Sequence, residues 1–288
     1  MTSQLATTTV VSGTGLARDL RAEVTSAAAD LTAAGNPPQL AVVVATADES
    51  TAWYVRSIRG AATKTGIRCS VVDLGPDAPP SRIGATLSAL SADPEVHGIM
   101  LQTPLPDGAR FADLTASISP EKDVDGANPV SLGRLGAGLT AFAPATAAAV
   151  LALLDHYEVP LAGRHAVVVG RSTVVGKPAA QLLLRRDATV TVCHRHTSDL
   201  AEHTARADVL VVAVGRTGLI TAEHVRPGAM VIDVGTNPTD DGGLAGDVDA
   251  AAVSGLAGGL TPVPGGVGPV TTALLLRHTV ESAARRSP

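Results

Sequence analysis

The stretch VVVGRSTVVGKPAAQLLL, residues 167–184, gives the clearest indication of the fold. An apolar run of strand length ends at Gly170, a short loop leads to Gly176, and Pro178 opens a helical pattern. Proline is tolerated there because the first turn of a helix leaves its N–H unpaired. Free amides at such a helix start suit a phosphate, as in dinucleotide-binding α/β units. The two glycines do not follow the usual G-x-G-x-x-G spacing, so a purely structural turn is the alternative interpretation.

Apolar runs of strand length alternate with helical patterns on both sides of this stretch. Continuous apolar strands separated by helices predict parallel sheets that are covered on both faces. We therefore predict an α/β fold of two lobes. The first is an N-terminal domain of residues 1–140, joined by the C-terminal helix 270–288, and the second is a Rossmann-like domain of residues 141–269. The predicted strands are 39–46, 68–75, 96–106, 165–170, 188–194, 208–215 and 229–235, and the predicted helices are 50–65, 81–93, 141–159, 177–187, 199–207 and 270–286.

The composition predicts a folded protein with an aliphatic core. Hydrophobic residues make up 45% of the chain and aromatic residues only 2%. The net charge of −5 and the lack of a basic run argue against a nucleic-acid partner. We expect no membrane span and no secretory signal, hence a cytoplasmic protein, and we predict no metal site. Cys69 and Cys193 lie in apolar, strand-like segments and are expected to be buried free thiols.

The strand that follows the glycine loop ends in basic residues. His194, Arg195 and His196 stand where folds that prefer NAD often place Asp or Glu for the ribose hydroxyls. Together with Arg171, these side chains favour a 2′-phosphate and hence NADP. A solvated polar loop is the alternative interpretation of the same residues.

Three further stretches lie at strand ends or in loops, where α/β proteins form their sites. They are LQTPLPDG (101–108), KDVDGANP (122–129) and TPVPGGVGPVT (261–271). Asp125 is held at a turn, and a carboxylate there can accept two N–H donors from a planar heterocycle. Each stretch alone is explained by a structural loop, but their joint presence favours a ligand site.

These motifs, in this order, resemble the methylenetetrahydrofolate dehydrogenase/cyclohydrolase family. The resemblance starts before Tyr54-Val55, runs through QTPLPDG, KDVDGANPVSLGRL, VVVGRSTVVGKP, VIDVGTN, GDV and TPVPGGVGPVT, and covers about residues 38 to 280. It implies a homodimer paired through the dinucleotide lobe, with a tetrahydrofolate derivative between the lobes and NADP on the second lobe. It also implies two reactions, oxidation of 5,10-methylenetetrahydrofolate to the 5,10-methenyl cation and hydrolysis of that cation to 10-formyltetrahydrofolate.

The resemblance implies roles for individual residues. Tyr54 is expected to stack on the folate rings, Gln102 to stand near the reacting carbon, and Asp125 to bind the pterin N–H groups. The loop residues expected at the folate and nicotinamide are Pro264, Gly265 and Gly266. The expected dinucleotide contacts are Gly170, Arg171, Ser172, Gly176, Pro178, His194, Arg195, Gly235 and Thr236, and the segment from Asp233 to Thr236 is expected on the nicotinamide side.

The chain departs from the family pattern at Ile58. The family has Tyr, three residues and then Lys, whereas YVRSI places Ile58 four residues after Tyr54. Positions four apart share a helix face, so we expect Ile58 to point into the same cleft as Tyr54. Arg59 lies about 100° further round and Arg56 roughly on the opposite side, so neither replaces the amine. Because isoleucine can neither donate nor accept a proton, we expect the dehydrogenase activity to persist and the cyclohydrolase activity to be weak or absent.

Two other interpretations of Ile58 stay open. It is a core residue if the helix register differs from the one assumed here. Alternatively, the chain is a catalytically silent paralogue that only binds folate or dinucleotide. A second departure, PATAAA at 144–149, keeps only Pro144 and Thr146 of the family's Pro-Cys-Thr-Pro-x-Gly turn.

Overall fold

The computed structural model describes residues 7–286 as an α/β protein. Its strands, in chain order, are β1 (Thr9–Val10), β2 (Gln39–Val44), β3 (Arg68–Asp73), β4 (Gly98–Leu101), β5 (His165–Val169), β6 (Thr189–Cys193), β7 (Val209–Val212), β8 (Met230–Asp233), β9 (Asn237–Pro238), β10 (Leu244–Ala245) and β11 (Gly259–Leu260). Its helices are α1 (Thr14–Ala33), α2 (Glu49–Lys64), α3 (Pro80–Ala92), α4 (Phe111–Thr115), α5 (Pro129–Gly136), α6 (Ala145–His156), α7 (Gly176–Leu184), α8 (Leu200–Thr204), α9 (Ala250–Val253) and α10 (Val267–Ala284), with a 3₁₀ turn at Ala222–His224.

The chain divides into two compact units, which we name by their main sheets. The six-stranded unit contains the chain up to Ala17 together with Thr146–Thr271. The three-stranded unit contains Arg18–Ala145 and the chain from Thr272 onward. The predicted α/β fold with parallel sheets in two parts is confirmed. The assignment of residues 1–140 and 141–269 to separate functional domains stays a prediction.

The six-stranded sheet has the order β1-β11-β8-β7-β5-β6, and all of its neighbouring strands are parallel. The chain leaves β5 through α7 to β6 on one side, and then returns through α8 to β7 on the other side of β5. The connections therefore diverge at β5, which makes a crevice at the carboxyl ends of β5 and β7. Such a switch point is where open α/β sheets bind their ligands.

The three-stranded sheet has the order β3-β2-β4 and is also parallel. Alternate residues of β2 enter different cores. Leu40, Val42 and Val44 belong to a cluster with residues of α2 and α10, whereas Ala41 and Val43 pack with residues of α3. The continuous apolar sequence of β2 follows from this, because both faces of the strand are covered.

Several local features differ from the sequence predictions. Helix α1 was not predicted, although its buried residues Ala17, Leu20, Val24 and Ala28 follow the helical spacing of three and four. The short strand β1 pairs with β11, which places it in the sheet of the six-stranded unit rather than in the predicted N-terminal domain. Both cysteines are free and Cys193 is buried, but Cys69 is only half-buried.

None of the helices within residues 7–286 combines the length and apolarity that a bilayer crossing requires. Over the same range, no three His, Cys, Asp or Glu side chains are grouped so that they could hold a metal ion.

Helix α10 carries a buried histidine into the core of the three-stranded unit. The Nδ1 of His278 donates a hydrogen bond to the carbonyl oxygen of Val124 at 2.8 Å, and its ring lies 4.8 Å from that of Phe142. Burial, and to a smaller extent the charges of Arg277 and Arg285, lower the pKa of His278 to about 4. The imidazole is therefore neutral in the folded protein at neutral pH.

Replacing His278 with glutamine is expected to make the fold less sensitive to acid. Between pH 6.5 and about 4 the unfolded chain binds a proton at this histidine that the native protein does not bind. The free energy of unfolding therefore falls as the pH drops through this window, by up to about 3 kcal/mol from this group. Urea unfolding measured at pH 7 and at pH 5 gives the free energy of unfolding at each pH. The decrease between the two should be smaller in His278→Gln than in the wild type or in the control His203→Gln. Equal losses in all three proteins contradict the prediction.

Candidate functional site

Helix α2 places Tyr54 and Ile58 one turn apart, as the sequence predicted. Asp48 caps the helix, since its carboxylate accepts from the backbone N–H of Thr51 at 2.7 Å and from the Thr51 hydroxyl at 2.8 Å. The buried face consists of Thr51, Val55, Ile58 and Ala62, while Tyr54 is half-buried at its edge.

Ile58 differs from the prediction that it points into an open cleft. Its side chain is 0% exposed and belongs to the core cluster that also contains Val44 and Met100. Ile58 is therefore a core residue, although it keeps the predicted position on α2 one turn after Tyr54. Met100 connects this core to the candidate site, because the Nε2 of buried Gln102 donates to its sulfur at 3.2 Å.

The KDVDG turn is locked in place by its first aspartate. The carboxylate of buried Asp123 accepts the backbone N–H groups of Ala127 and Asn128 at 2.9 Å each. Gly126 has φ +66°, and a Cβ there would lie 2.4 Å from the nitrogen of Pro144. Only glycine satisfies both conditions, so the turn presents Asp125 in one fixed place.

Asp125 lies close enough to Tyr54 for its charge to change the pKa of the tyrosine hydroxyl. Burial raises the pKa of Asp125 to about 7, with a further contribution from the charge of Asp123. Burial also raises the pKa of Tyr54, and the charge of Asp125 adds to this, against a hydrogen bond from Thr272. Tyr54 is therefore a neutral hydroxyl at neutral pH, while Asp125 changes its charge near pH 7.

The three-stranded unit contains two lysines, Lys64 and Lys122. Lys64 is exposed at the far end of α2. The ammonium of buried Lys122 is bound by the carbonyl oxygens of Leu90 and Asp93 at the end of α3, where it also meets the negative end of the helix dipole. Burial lowers the pKa of Lys122 to about 8, but its contacts assign it to the fold.

The glycine loop of the six-stranded unit packs too tightly for any side chain at either end. A Cβ at Gly170 would lie 2.2 Å from the carbonyl oxygen of Ala213, and one at Gly176 would lie 2.1 Å from that of Gly170. The Ser172 hydroxyl accepts from the backbone N–H of Val175 at 3.1 Å. The structural reason for both glycines is thus clear, and it is compatible with a phosphate site because α7 begins at this loop with Pro178 in its first turn.

Basic side chains flank this loop on the neighbouring strand. Because β6 pairs in parallel with β5, His194 and Arg195, which follow β6, lie at the same edge of the sheet as Arg171, which follows β5. Arg171 and Arg195 are exposed, and neither forms an ion pair within residues 7–286. The Nε of Arg195 donates to the ring of His196 at 3.1 Å. Two unpaired guanidinium groups at one edge suit a phosphate monoester.

Asp233 faces into the protein rather than toward a ligand. Its carboxylate accepts the backbone N–H groups of Gly235 at 2.9 Å, Asp247 at 3.0 Å and Val248 at 2.9 Å. Burial raises its pKa. The predicted contacts that follow it, Gly235 and Thr236, lie at the carboxyl end of β8, and Thr236 is exposed there.

Asp247 was not singled out from the sequence, although it lies in the quoted GDV motif. It is 0% exposed, and its carboxylate accepts the N–H groups of Val214, Gly215 and Arg216. The available sequence signal was an aspartate beside a glycine in GDV, following Asp233 of VIDVG, which has a glycine two residues after it.

The PVPGG loop belongs to the six-stranded unit. Gly265 has φ +107°, and its carbonyl oxygen accepts the N–H of Gly13 at 2.8 Å. A Cβ at Gly266 would lie 2.7 Å from the carbonyl oxygen of Pro262. Pro264, at the tip, is exposed. The loop is therefore held in shape by its glycines immediately before α10.

Two family models match most of the chain. The catalytic domain of tetrahydrofolate dehydrogenase/cyclohydrolase matches residues 11–125, and the NAD(P)-binding domain of the same family matches residues 144–287. Curated relatives include the bifunctional protein FolD 1 of Saccharopolyspora erythraea, 72% identical over 99% of this chain and 98% of that protein. The FolD 1 protein of Rhodococcus jostii is 66% identical over 94% of this chain and 91% of that protein.

Solved structures agree with these relatives. The bifunctional FolD enzyme of Campylobacter jejuni is 39% identical, with a TM-score of 0.93 over 97% of this chain and 99% of that chain. The FolD enzyme of Trypanosoma brucei, solved with NADP cofactor and an inhibitor, is 35% identical, with a TM-score of 0.92 over 97% of this chain and 98% of that chain.

The family models confirm the predicted enzyme class and a nicotinamide dinucleotide, NAD(P), as the cofactor. They do not test the roles of single residues, which stay predictions. With both domain models matched in order and close relatives matched over more than nine-tenths of their length, the chain belongs to the tetrahydrofolate dehydrogenase/cyclohydrolase family.

Proposed function

We propose that this chain oxidises 5,10-methylenetetrahydrofolate to 5,10-methenyltetrahydrofolate with NADP, and that it hydrolyses the methenyl product only weakly. The observation that carries the second part is Ile58, fully buried one turn from Tyr54. The three-stranded unit binds the folate and the six-stranded unit binds NADP. In line with the family resemblance, we also propose a homodimer paired through the six-stranded unit and located in the cytoplasm.

The dehydrogenase step depends on placement more than on proton transfer. Bound NADP would supply the hydride acceptor, and the part of the protein is to orient the reacting carbon. Tyr54 stacks on the folate rings, Gln102 stands near the reacting carbon, and Asp125 binds the pterin N–H groups. None of these tasks requires an amine, so the loss of a lysine at Ile58 leaves the step possible.

The hydrolysis step requires a group that moves protons to and from water. Loss of such a group typically costs about 10²- to 10⁴-fold in rate. Ile58 offers none, and the amine of Lys122 is held at the end of α3. The buried apolar surroundings of Ile58 exclude water from that position as well. Product would therefore leave mainly as the methenyl compound.

Assaying both reactions on one preparation tests this proposal. Wild-type protein should reduce NADP when it is given methylenetetrahydrofolate, and should barely accelerate the loss of methenyltetrahydrofolate without cofactor. Ile58→Lys should raise hydrolysis at least about tenfold, while Ile58→Met, of similar volume, should leave it unchanged. Circular dichroism and retained NADP reduction establish that each variant is folded.

Three outcomes contradict parts of this proposal. Rapid hydrolysis by the wild type removes the argument from Ile58. If Ile58→Lys is folded and reduces NADP but does not hydrolyse the methenyl compound faster, the weak hydrolysis has another cause. Ala147 to Ala149 are then the next residues to change. No NADP reduction by the wild type supports a silent paralogue that only binds its ligands.

Substrate binding is expected to weaken below pH 7 because of Asp125. Only the ionised carboxylate accepts two N–H groups, and the pKa of Asp125 is raised to about 7. Lowering the pH from 7.5 to 6 should therefore raise the KM for methylenetetrahydrofolate about tenfold. Asp125→Asn should have a high KM that no longer changes with pH, while the exposed control Asp113→Asn should behave like the wild type. A pH-dependent KM in Asp125→Asn would contradict this role.

The preference for NADP over NAD is expected to depend on the two unpaired arginines. Arg171→Ala and Arg195→Ala should each raise the KM for NADP about 10- to 100-fold, because each removes a charge-assisted hydrogen bond to phosphate. The KM for NAD, which lacks that phosphate, should change little. Arg185→Ala, exposed at the other end of α7, is the control. Equal losses for NADP and NAD would show that these arginines do not bind the 2′-phosphate.

A further inference from the structure

The crevice of the six-stranded unit has two walls at neighbouring strand ends. The first wall is the glycine loop that follows β5, and the second is the segment that follows β7. They are in direct contact, since Gly170 approaches the carbonyl oxygen of Ala213 so closely that a Cβ would lie 2.2 Å from it. Any shift of the second wall therefore moves the loop in which a phosphate would sit.

Three successive amides shape the second wall. The N–H groups of Val214, Gly215 and Arg216 point to one carboxylate, that of Asp247, at 2.7, 3.1 and 2.8 Å. Gly215 has φ +65°, the conformation that lets consecutive N–H groups converge. Such a concavity binds anions, and here a side chain of the same unit fills it.

Asp247 is itself fixed by the neighbouring strand end. Its backbone N–H donates to Asp233 at 3.0 Å, and its carboxylate accepts from the side-chain amide of Asn237 at 2.9 Å. The Asp247 side chain fits beside residue 235 only because that residue is glycine, since a Cβ there would lie 2.5 Å from the Asp247 carboxyl carbon. One carboxylate thus ties the segment after β7 to the segment after β8.

We propose that Asp247 is a positioning residue for the dinucleotide, holding the Val214–Arg216 segment as one wall of the crevice. This inference rests on the proposed use of NADP by the six-stranded unit. Asp247 is fully buried, so it acts through the backbone it binds rather than by touching the cofactor. Within residues 7–286 it forms no ion pair, and four N–H donors surround its charge.

The test is direct binding of NADP by Asp247→Asn. The new amide nitrogen donates where an oxygen accepted, so at least one N–H of the segment is left facing a donor. A buried donor without a partner costs enough to weaken binding by between about fivefold and 100-fold if the segment shifts. The dissociation constant of NADP should rise by that factor, whereas kcat at saturating NADP and the KM for the folate substrate should change less than about threefold.

Asp208→Asn is the matched control. Like Asp247, Asp208 binds a backbone N–H with its carboxylate, which accepts from His165 at 3.0 Å. This contact lies at the amino end of β5, away from the crevice. The control should lower the thermal midpoint without changing the dissociation constant of NADP. The two variants are compared at a similar loss of thermal stability. If Asp247→Asn then raises the dissociation constant of NADP no more than Asp208→Asn does, Asp247 is merely structural and the proposal is overturned.

A second pair of variants keeps the test decisive if Asp247→Asn does not fold. Gly215→Ala strains the same segment through its positive φ while leaving room for the Cβ, whose nearest neighbour is 4.0 Å away. Gly228→Ala applies the same kind of strain at φ +81° in open space outside the crevice. Only Gly215→Ala should weaken NADP binding, and equal effects refute the proposal. Because NADP binding is measured without folate, its result is separate from failure of the proposed reaction.

Discussion

Carboxylates bound by backbone N–H groups hold the loops of both units in place. Asp123 closes the turn that presents Asp125, and Asp233 and Asp247 connect the loops that follow β7 and β8. Each of these carboxylates is buried, where an unpaired charge would be very costly. Backbone donors satisfy the charge without a cation, so the position of each loop becomes inseparable from the position of one aspartate.

This arrangement explains why some short motifs have glycine beside aspartate. Gly126, Gly235 and Gly246 each come so close to backbone or carboxylate atoms that a Cβ would overlap them. At Gly126 the crowding atoms are backbone atoms of Ala143 and Pro144, whereas at Gly235 and Gly246 they belong to Asp247 and Asp233, so there the aspartate can approach only because a side chain is absent. In these motifs, glycine and aspartate therefore work as one unit of structure rather than as two separate signals.

The sequence was sufficient to predict the parallel sheets and the glycine loop, because continuous valine-rich strands and strand-to-helix turns are local patterns. It could not predict β1, whose two residues become a strand only by pairing with β11 far along the chain. The role of Asp247 was also out of reach, since the backbone N–H groups after β7 that its carboxylate accepts lie more than 30 residues away in sequence. Ile58 was predicted to share an open cleft with Tyr54, but it is buried against Met100 and other core residues that only the fold brings together.

The pKa of Asp125 has a consequence for the energetics of ligand capture. A carboxyl group with a pKa near 7 is about half protonated in the free protein at that pH. If the bound pterin selects the ionised form, each binding event releases part of a proton to the solvent. The heat measured on binding would then include the ionisation heat of the buffer, and the affinity for folate would follow small changes in the acidity of its surroundings.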